Sequence, residues 1–212
     1  MDIICARHGN TFAPGERVVF VGAKEDVPLA PAGEEQARRL AAALREAGVK
    51  PAVVLCGPLQ RTRRYADLVA AELRLAMQPV VDERLTEIDY GDWAGLTNEE
   101  ISSQLDQGED LRLWNEAGVW PARANWGGSE AGVKSRVAAF LQVLQRELPG
   151  EAVLVVSSNG ILRYFAIAAA GAEARSDARF PFKMRTGNFG IIRDTGDKYV
   201  IVSWDVTPGG SP

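Results

Sequence analysis

Three short apolar runs, each followed by a segment with the periodicity of a helix, constrain the fold of this chain more than any other feature. The runs lie at residues 2–7, 52–56 and 152–156 and contain hardly a polar side chain between their ends. Continuous apolar strands are typical of parallel sheets that are buried on both faces, and parallel neighbours need a crossover that is usually a helix. The pattern therefore predicts an α/β fold.

Helical periodicity is clearest in the segments that connect these runs. Apolar residues recur at helical spacing in four segments, residues 34–47, 59–75, 129–148 and 161–170. In addition, Thr97 with Glu100 three positions later is a capping-box signature, which predicts a short helix to about Leu105. Each predicted strand of the N-terminal part is thus separated from the next by a helix.

The C-terminal part predicts a β-hairpin instead. Strands are expected at about 188–194 and 198–205, joined by the turn residues Thr195-Gly196-Asp197, and a further strand near residue 79 belongs to the main sheet. We expect three layers: an open, mostly parallel sheet flanked by helices on both faces, with a C-terminal antiparallel hairpin. Residues 1–206 form one domain in this interpretation, and residues 207–212 form a disordered tail.

Charge and cysteine usage narrow the class of protein. The net charge of −4 gives no attraction to a polyanion, so neither nucleic acid nor an anionic membrane surface is an expected partner. No segment reaches the roughly 18 apolar residues of a membrane span, and the N-terminus lacks a signal peptide's basic flank. Cys5 and Cys56 lie within apolar runs, which is typical of buried free thiols in a reducing compartment. A cytoplasmic protein is the expectation.

Three predicted strand ends carry residues suited to an anion. Arg7 and His8 end the first strand, Arg61 lies in the first turn of the helix after the second, and residues 157–160 lead into a helix that bears Arg163. Ligands of open α/β sheets bind at the carboxyl ends of strands, where the N-termini of the following helices favour negative charge. The sequence therefore predicts a phosphate pocket there.

His8 is the only histidine, so any chemistry that needs an imidazole depends on it. A multi-histidine metal site is excluded for the same reason, and neither a metal nor a cofactor is expected. A single histidine is commonly a structural residue. Arg7 before it and Gly9 after it favour a functional one, because they offer a phosphate clamp and room for close backbone approach.

The motifs occur in an order that resembles the histidine phosphatase superfamily, the phosphoglycerate mutase-like proteins. The resemblance spans about residues 1–165 and rests on Arg7-His8-Gly9-Asn10-Thr11, Pro58-Leu59-Gln60-Arg61, the acidic loop from Leu85 to Gly95, and Gly127-Gly128-Ser129-Glu130. Such an ordered set is far more specific than a lone Arg-His-Gly. It implies a phosphoglycerate mutase-like fold and chemistry on a small phosphorylated metabolite.

Carried over by position, the resemblance implies roles for four residues. His8 would accept the phosphoryl group, Arg7 and Arg61 would hold its oxygens, and Glu87 would donate a proton to the leaving group. Planar guanidinium groups match phosphoryl oxygens, and a neutral imidazole can attack phosphorus in line. Asn10 either donates to a phosphoryl oxygen or serves an ordinary turn.

One position departs from the family pattern. Members carry a second histidine after the late strand, in a Ser-His-Gly-Gly-like turn, and this chain has Ser157-Ser158-Asn159-Gly160 there. Ser158 stands in the histidine's place, and it and Asn159 either bind substrate or cap the helix. Three functions follow: a phosphatase with a phosphohistidine intermediate, which we favour, a mutase-like phosphotransferase, or a weakened phosphate-binding or regulatory relative.

Two segments outside these motifs are candidates for the walls of the pocket. The stretch 108–128 is rich in Trp and carries Arg112 and Arg123, so it either grips a substrate body or packs its tryptophans against the core. The loop 12–24 is a second candidate. Apolar edge strands in the C-terminal hairpin permit a homodimer.

Overall fold

A computed structural model of the protein describes residues 1–171 and 183–209, which contain a six-stranded sheet. The strands are β1 (Asp2–Arg7), β2 (Val53–Cys56), β3 (Val80–Val81), β4 (Ala152–Ser157), β5 (Phe189–Asp194) and β6 (Tyr199–Val206). Their order across the sheet is β3-β2-β4-β1-β5-β6. Strands β1 to β4 run parallel, whereas β5 is antiparallel to β1 and β6 is antiparallel to β5. The mostly parallel sheet with a C-terminal hairpin is confirmed.

The helices of the described residues connect and cover these strands. They are α1 (Pro31–Glu46), α2 (Gln60–Glu72), α3 (Asn98–Gln104), α4 (Gly108–Ala117), α5 (Glu130–Glu147) and α6 (Asn159–Ala170). Helix α1 begins three residues before the predicted start, because the fixed φ of proline suits a first helical turn. The predicted capping box of Thr97 and Glu100 opens α3. None of these helices is long and apolar enough to cross a membrane.

Helix α4 has no counterpart among the predicted elements. It begins at Gly108 and ends at Ala117, and the C-cap residue Gly118, with a φ of 64°, is left-handed. Leu111 and Trp114 are its buried side chains. Two buried residues in a segment rich in glycine and tryptophan are too few to reveal helical periodicity, so the sequence pattern does not predict this helix. Tertiary packing stabilises it.

Alternate side chains of the strands build two apolar cores, one on each face of the sheet. On β1, Ile3 and Cys5 belong to the core covered by α5 and α6, whereas Ile4 and Ala6 belong to the core covered by α1 and α2. Period-two alternation of this kind is the geometry of a pleated strand. Cys5 and Cys56 are buried free thiols, as expected.

The register of β1 and β4 places the predicted site residues at one edge of the sheet. Arg7 pairs with Ser157, and the His8 N–H donates to the Ser157 carbonyl at 3.1 Å. On the other side of β1, the Gly187 N–H donates to the His8 carbonyl at 3.1 Å. His8 therefore lies between the start of α6 and the segment that leads into β5.

Two remaining expectations concern the periphery of the chain. Val80 and Val81 on β3 and Val200 and Val202 on β6 are exposed apolar residues at the two edges of the sheet, and pairing of an edge in a homodimer stays a prediction. Of the predicted tail, 207–209 are described and Pro208 is buried, whereas 210–212 lie outside the described residues. Disorder of that tail stays a prediction.

Candidate active site

A cavity of about 820 Å³ opens at the carboxyl ends of β1 and β4. Five of the seven predicted site residues line it, namely Arg7, His8, Asn10, Arg61 and Asn159. The other two, Glu87 and Ser158, are buried beside it with 5% and 1% of their surface exposed. Residues more than 150 positions apart thus meet at the place where the sheet topology predicts a ligand.

The ring of His8 is held in one tautomer. Its Nδ1 lies 2.8 Å from the carbonyl oxygen of Gly9, and because a carbonyl only accepts, Nδ1 carries the proton and Nε2 keeps its lone pair. Burial lowers the pKa of His8 well below 6.5, and the charges of Arg7 and Arg61 lower it further. His8 is therefore a neutral imidazole with one unprotonated nitrogen at neutral pH.

Gly9 is required by the close packing behind this histidine. A Cβ on Gly9 would lie 2.4 Å from the carbonyl oxygen of Gly33, near the start of α1. Backbone atoms cannot give way at such a distance. The glycine that follows His8 is therefore explained by the approach of two backbone segments.

Arg61 reaches the cavity from the first turn of α2 and is 1% exposed. Its Nη1 donates to the Glu25 carbonyl at 2.8 Å and its Nη2 to the Gly22 carbonyl at 3.1 Å. Arg7 comes from the end of β1, and its Nη1 donates to the Met184 carbonyl at 2.6 Å. Among the described residues both guanidinium groups are fixed by backbone carbonyls and pair with no carboxylate, so each can still bind an anion.

The two asparagines of the site fasten the segment that precedes β5. The Thr186 hydroxyl donates to Oδ1 of Asn10, and the Met184 N–H donates to Oδ1 of Asn159 at 2.9 Å. Because each side-chain oxygen is occupied, the Nδ2 groups are the donors left to face a ligand. The asparagines therefore combine a structural contact with a position in the cavity wall.

The carboxyl group of Glu87 accepts hydrogen bonds at both oxygens. Oε1 accepts from the Ile88 N–H at 2.8 Å, and Oε2 accepts from the Tyr90 hydroxyl at 3.1 Å and from the Gly160 N–H at 3.2 Å. A Cβ on Gly160 would lie 2.4 Å from Oε1, which explains the glycine there. Of the Glu87–Tyr90 pair, Tyr90 is the member that lines the cavity.

Ser158 is the N-cap residue of α6, but its side chain makes no capping hydrogen bond. Its Oγ is buried and finds no hydrogen-bond partner among the described residues. The interpretation that Ser158 serves only as a side-chain cap is therefore wrong. An orphaned hydroxyl at a helix N-terminus is a donor available to a bound anion.

Arg163, the fifth residue of α6, is fully buried. Its guanidinium lies 4.3 Å from the centre of the Trp114 ring, and its Nη1 donates to the Trp114 carbonyl. Burial lowers its pKa to about 10. Arg163 does not line the cavity among the described residues, and it fixes Trp114, which does.

The tryptophans of the stretch 108–128 pack against the core and also shape the cavity. Trp114 and Trp126 are buried, and Trp114 contributes to the cavity wall. Arg112 and Arg123 instead form exposed ion pairs with carboxylates of α4. Arg112 and Arg123 therefore do not line the cavity in the described part of the chain, and the structure does not place them where they could hold a substrate body.

Tyr90 and Lys183 are two cavity residues for which the sequence predicts no individual role, whereas Thr186 belongs to the segment 186–188 that was a candidate for the pocket. Tyr90 lies within the acidic loop that carries the family resemblance, so the motif of this loop is the sequence feature that could have indicated Tyr90 as a cavity residue. Lys183 makes a long contact with a described residue, 3.5 Å from its Nζ to the Asn115 side chain, and no local pattern marks it. No three His, Cys, Asp or Glu residues cluster as metal ligands in the described part of the chain.

Comparison with known proteins adds to this geometry. A family model described as histidine phosphatase superfamily (branch 1) matches residues 3–207. The chain is 28% identical over 184 residues to phosphoserine phosphatase 1 of Hydrogenobacter thermophilus, covering 86% of this chain and 82% of that protein. It is 26% identical over 162 residues to a 2,3-bisphosphoglycerate-dependent phosphoglycerate mutase of Sinorhizobium fredii, covering 76% and 75%. Mycobacterial glucosyl-3-phosphoglycerate phosphatase has a similar fold, with a TM-score of 0.80 at 20% identity over 97% of this chain and 98% of that one.

Proposed function

This chain belongs to the histidine phosphatase superfamily, and on that premise we propose that it hydrolyses a phosphomonoester of a small metabolite through a phosphohistidine on His8. The observation that carries the proposal is the state of His8. Its Nε2 is unprotonated, and the ring lines a cavity together with two guanidinium groups that form no ion pair with a carboxylate of the described residues. A neutral nucleophile among fixed positive charges suits attack on a dianionic phosphoryl group.

In the first step Nε2 of His8 bonds to phosphorus while the bond from phosphorus to the ester oxygen breaks. Arg7 and Arg61 hold the equatorial oxygens, where the charge of the transition state is spread. The leaving oxygen takes a proton from Glu87, whose carboxyl group is oriented by the Tyr90 hydroxyl and the Gly160 N–H. In the second step water attacks the phosphohistidine and returns a proton to Glu87, releasing inorganic phosphate and free His8.

Ser158 enters this proposal as a neutral donor. Its buried hydroxyl lacks a partner among residues 1–171 and 183–209, and it lies at the N-terminus of α6. A phosphoryl oxygen there would satisfy it and would also meet the positive end of the helix dipole. The hydroxyl thus provides a hydrogen bond at the position where the family resemblance implies a histidine, without the charge of an imidazolium.

Release of inorganic phosphate from a panel of sugar, glycerate and alkyl phosphates tests the proposal against its alternatives. We expect turnover without any bisphosphorylated compound. A mutase, which the named relatives also include, would instead need such a compound to keep His8 phosphorylated. Binding of phosphate or vanadate without turnover on any member of the panel would favour the weakened binding protein and contradict the proposal.

The ionisation of His8 gives a prediction that is independent of substrate. Because His8 is the only histidine, its imidazole resonances in a nitrogen-correlated NMR titration are unambiguous. We expect the neutral Nδ1-protonated form to persist as the pH falls through 6.5, since burial and two arginines oppose protonation. The unfolded chain binds that proton below about pH 6.5, so His8 also makes the fold less stable there. A midpoint at or above 6.5 would contradict the described environment of His8.

A further inference from the structure

The cavity is larger than a phosphoryl group and a three-carbon body require. Its volume of about 820 Å³ lies in the upper part of the range of roughly 300–1,000 Å³ that is usual for pockets holding drug-sized ligands. The phosphoryl end of the cavity contains Arg7, His8, Arg61 and Lys183. Lys183 belongs to this end because burial, together with the nearby charges of Arg7 and Arg163, lowers the pKa of its ammonium group. The remaining wall therefore determines what the phosphoryl group can be attached to.

Apolar side chains form a large part of that remaining wall. The larger ones among the described residues are Phe12, Val18, Val19, Phe20, Val21 and Trp114. Val18 is 65% exposed, the largest exposed fraction among the large hydrophobic residues of the described chain. An exposed apolar side chain at the rim of a cavity is a surface that a ligand can cover.

The carboxylates in the same wall oppose an anionic substrate body. Among the described lining residues Glu16 and Glu99 are the acidic ones, and both are exposed. Glu16 lies in the segment that carries Val18, and Glu99 lies in the first turn of α3. An ion pair between Arg17 and Glu100 joins these two segments, so the two carboxylates belong to one wall. A carboxylate or second phosphate on the substrate would meet like charge there.

Fixed contacts hold the apolar wall in place. The Phe20 ring packs edge-on against Tyr90 and Trp93 at centroid distances of 5.1 and 5.3 Å. The backbone N–H of Phe20 donates to the Leu96 carbonyl at 2.9 Å. On the opposite side Arg163 holds Trp114. A preformed apolar surface binds without the cost of ordering, which makes it effective for recognition.

We propose that the phosphomonoester taken at this site carries a large, mainly apolar and uncharged body, such as an aryl-alkyl or long alkyl group. The inference rests on the proposed function for the position of the phosphoryl group. It excludes short anionic bodies, such as a phosphorylated hydroxy acid, from the preferred substrates. Recognition of the body comes from the segment 12–21, the start of α3 and Trp114.

Binding of phosphonates, which cannot be hydrolysed, separates this inference from catalysis. Isothermal titration calorimetry of the full chain with methylphosphonate, 3-phenylpropylphosphonate and 2-carboxyethylphosphonate gives one dissociation constant for each compound. We expect the phenyl compound to bind at least about tenfold more tightly than the methyl compound, because its body buries apolar surface. The carboxylate compound should bind no more tightly than the methyl compound.

Paired variants locate the effect in this wall. Val18→Ser should weaken binding of the phenyl compound about threefold, whereas Val80→Ser, an equally conservative change at an exposed valine on β3, should not. Glu99→Gln should strengthen binding of the carboxylate compound by about threefold, since it removes a like charge.

The outcomes distinguish the two proposals. Equal affinities for the methyl and phenyl compounds, a preference for the carboxylate compound, or no phosphonate binding at all would overturn the inference about the body. The phosphatase proposal is decided separately by release of phosphate. An apolar preference with no turnover would therefore support the recognition surface and contradict the catalytic proposal.

Discussion

Replacement of His8 by alanine is expected to remove phosphatase activity, with kcat falling by roughly 10⁴-fold or more, as for other enzymes that lose a covalent nucleophile. The chain has no second histidine that could take the phosphoryl group. Alanine removes Nε2 and also the Nδ1 contact to the Gly9 carbonyl. Phosphate release at saturating substrate measures the effect, and intact-mass spectrometry of rapidly quenched samples should detect a phosphorylated protein for the wild type alone.

Loss of activity through misfolding must be separated from loss of the nucleophile. The His8→Ala variant should still bind vanadate or phosphate, because Arg7 and Arg61 are held by the carbonyls of Met184 and Glu25 and not by the imidazole. Residual turnover near the wild-type rate in a folded His8→Ala protein would remove the phosphohistidine from the mechanism.

Replacement of Arg61 by glutamine is expected to lower kcat/KM by ~10²–10³-fold, the usual effect of removing one fixed group that stabilises transition-state charge. Glutamine retains a donor but loses the positive charge and the forked geometry that suits phosphoryl oxygens. The charge of Arg61 also lowers the pKa of His8, so the variant should show a raised His8 pKa in the NMR titration. A merely structural role for Arg61 would not produce that shift.

Arg63→Gln is the matched control for this variant. Arg63 lies on the same helix two residues later, and its side chain is exposed instead of buried. We expect Arg63→Gln to retain kcat/KM within about twofold, as is usual for surface substitutions. If both variants lost activity to a similar extent, the effect would belong to the stability of α2 and not to the phosphoryl site.

Local sequence patterns were sufficient to predict an element wherever the interactions that form it join residues close together in the sequence. The apolar runs predicted β1, β2 and β4, because strands buried on both faces leave no place for polar side chains. Thr97 and Glu100 predicted the start of α3, because the capping box joins residues three apart. The same reasoning missed α4, whose two buried residues depend on a core built elsewhere.

Contacts between distant segments were beyond such patterns. The hydrogen bond from the Gly160 N–H to Glu87, the hold of Arg163 on Trp114 and the place of Lys183 in the cavity join residues that lie far apart in the sequence. Ser158 illustrates the difference most clearly. Its type and position left open whether it binds substrate or caps the helix, and only the tertiary structure shows a hydroxyl that makes no capping hydrogen bond.

By itself, the sequence determined that His8 ends a strand and that Arg61 lies in the first turn of a helix, since hydrophobic period and helix-start signals act over a few residues. It also determined, through its ordered motifs, the family to which the chain belongs. Only the tertiary structure decided that these groups share one cavity with an apolar wall. The reason is that β4 lies between β1 and β2, and this long-range pairing brings the ends of separate segments to one edge of the sheet.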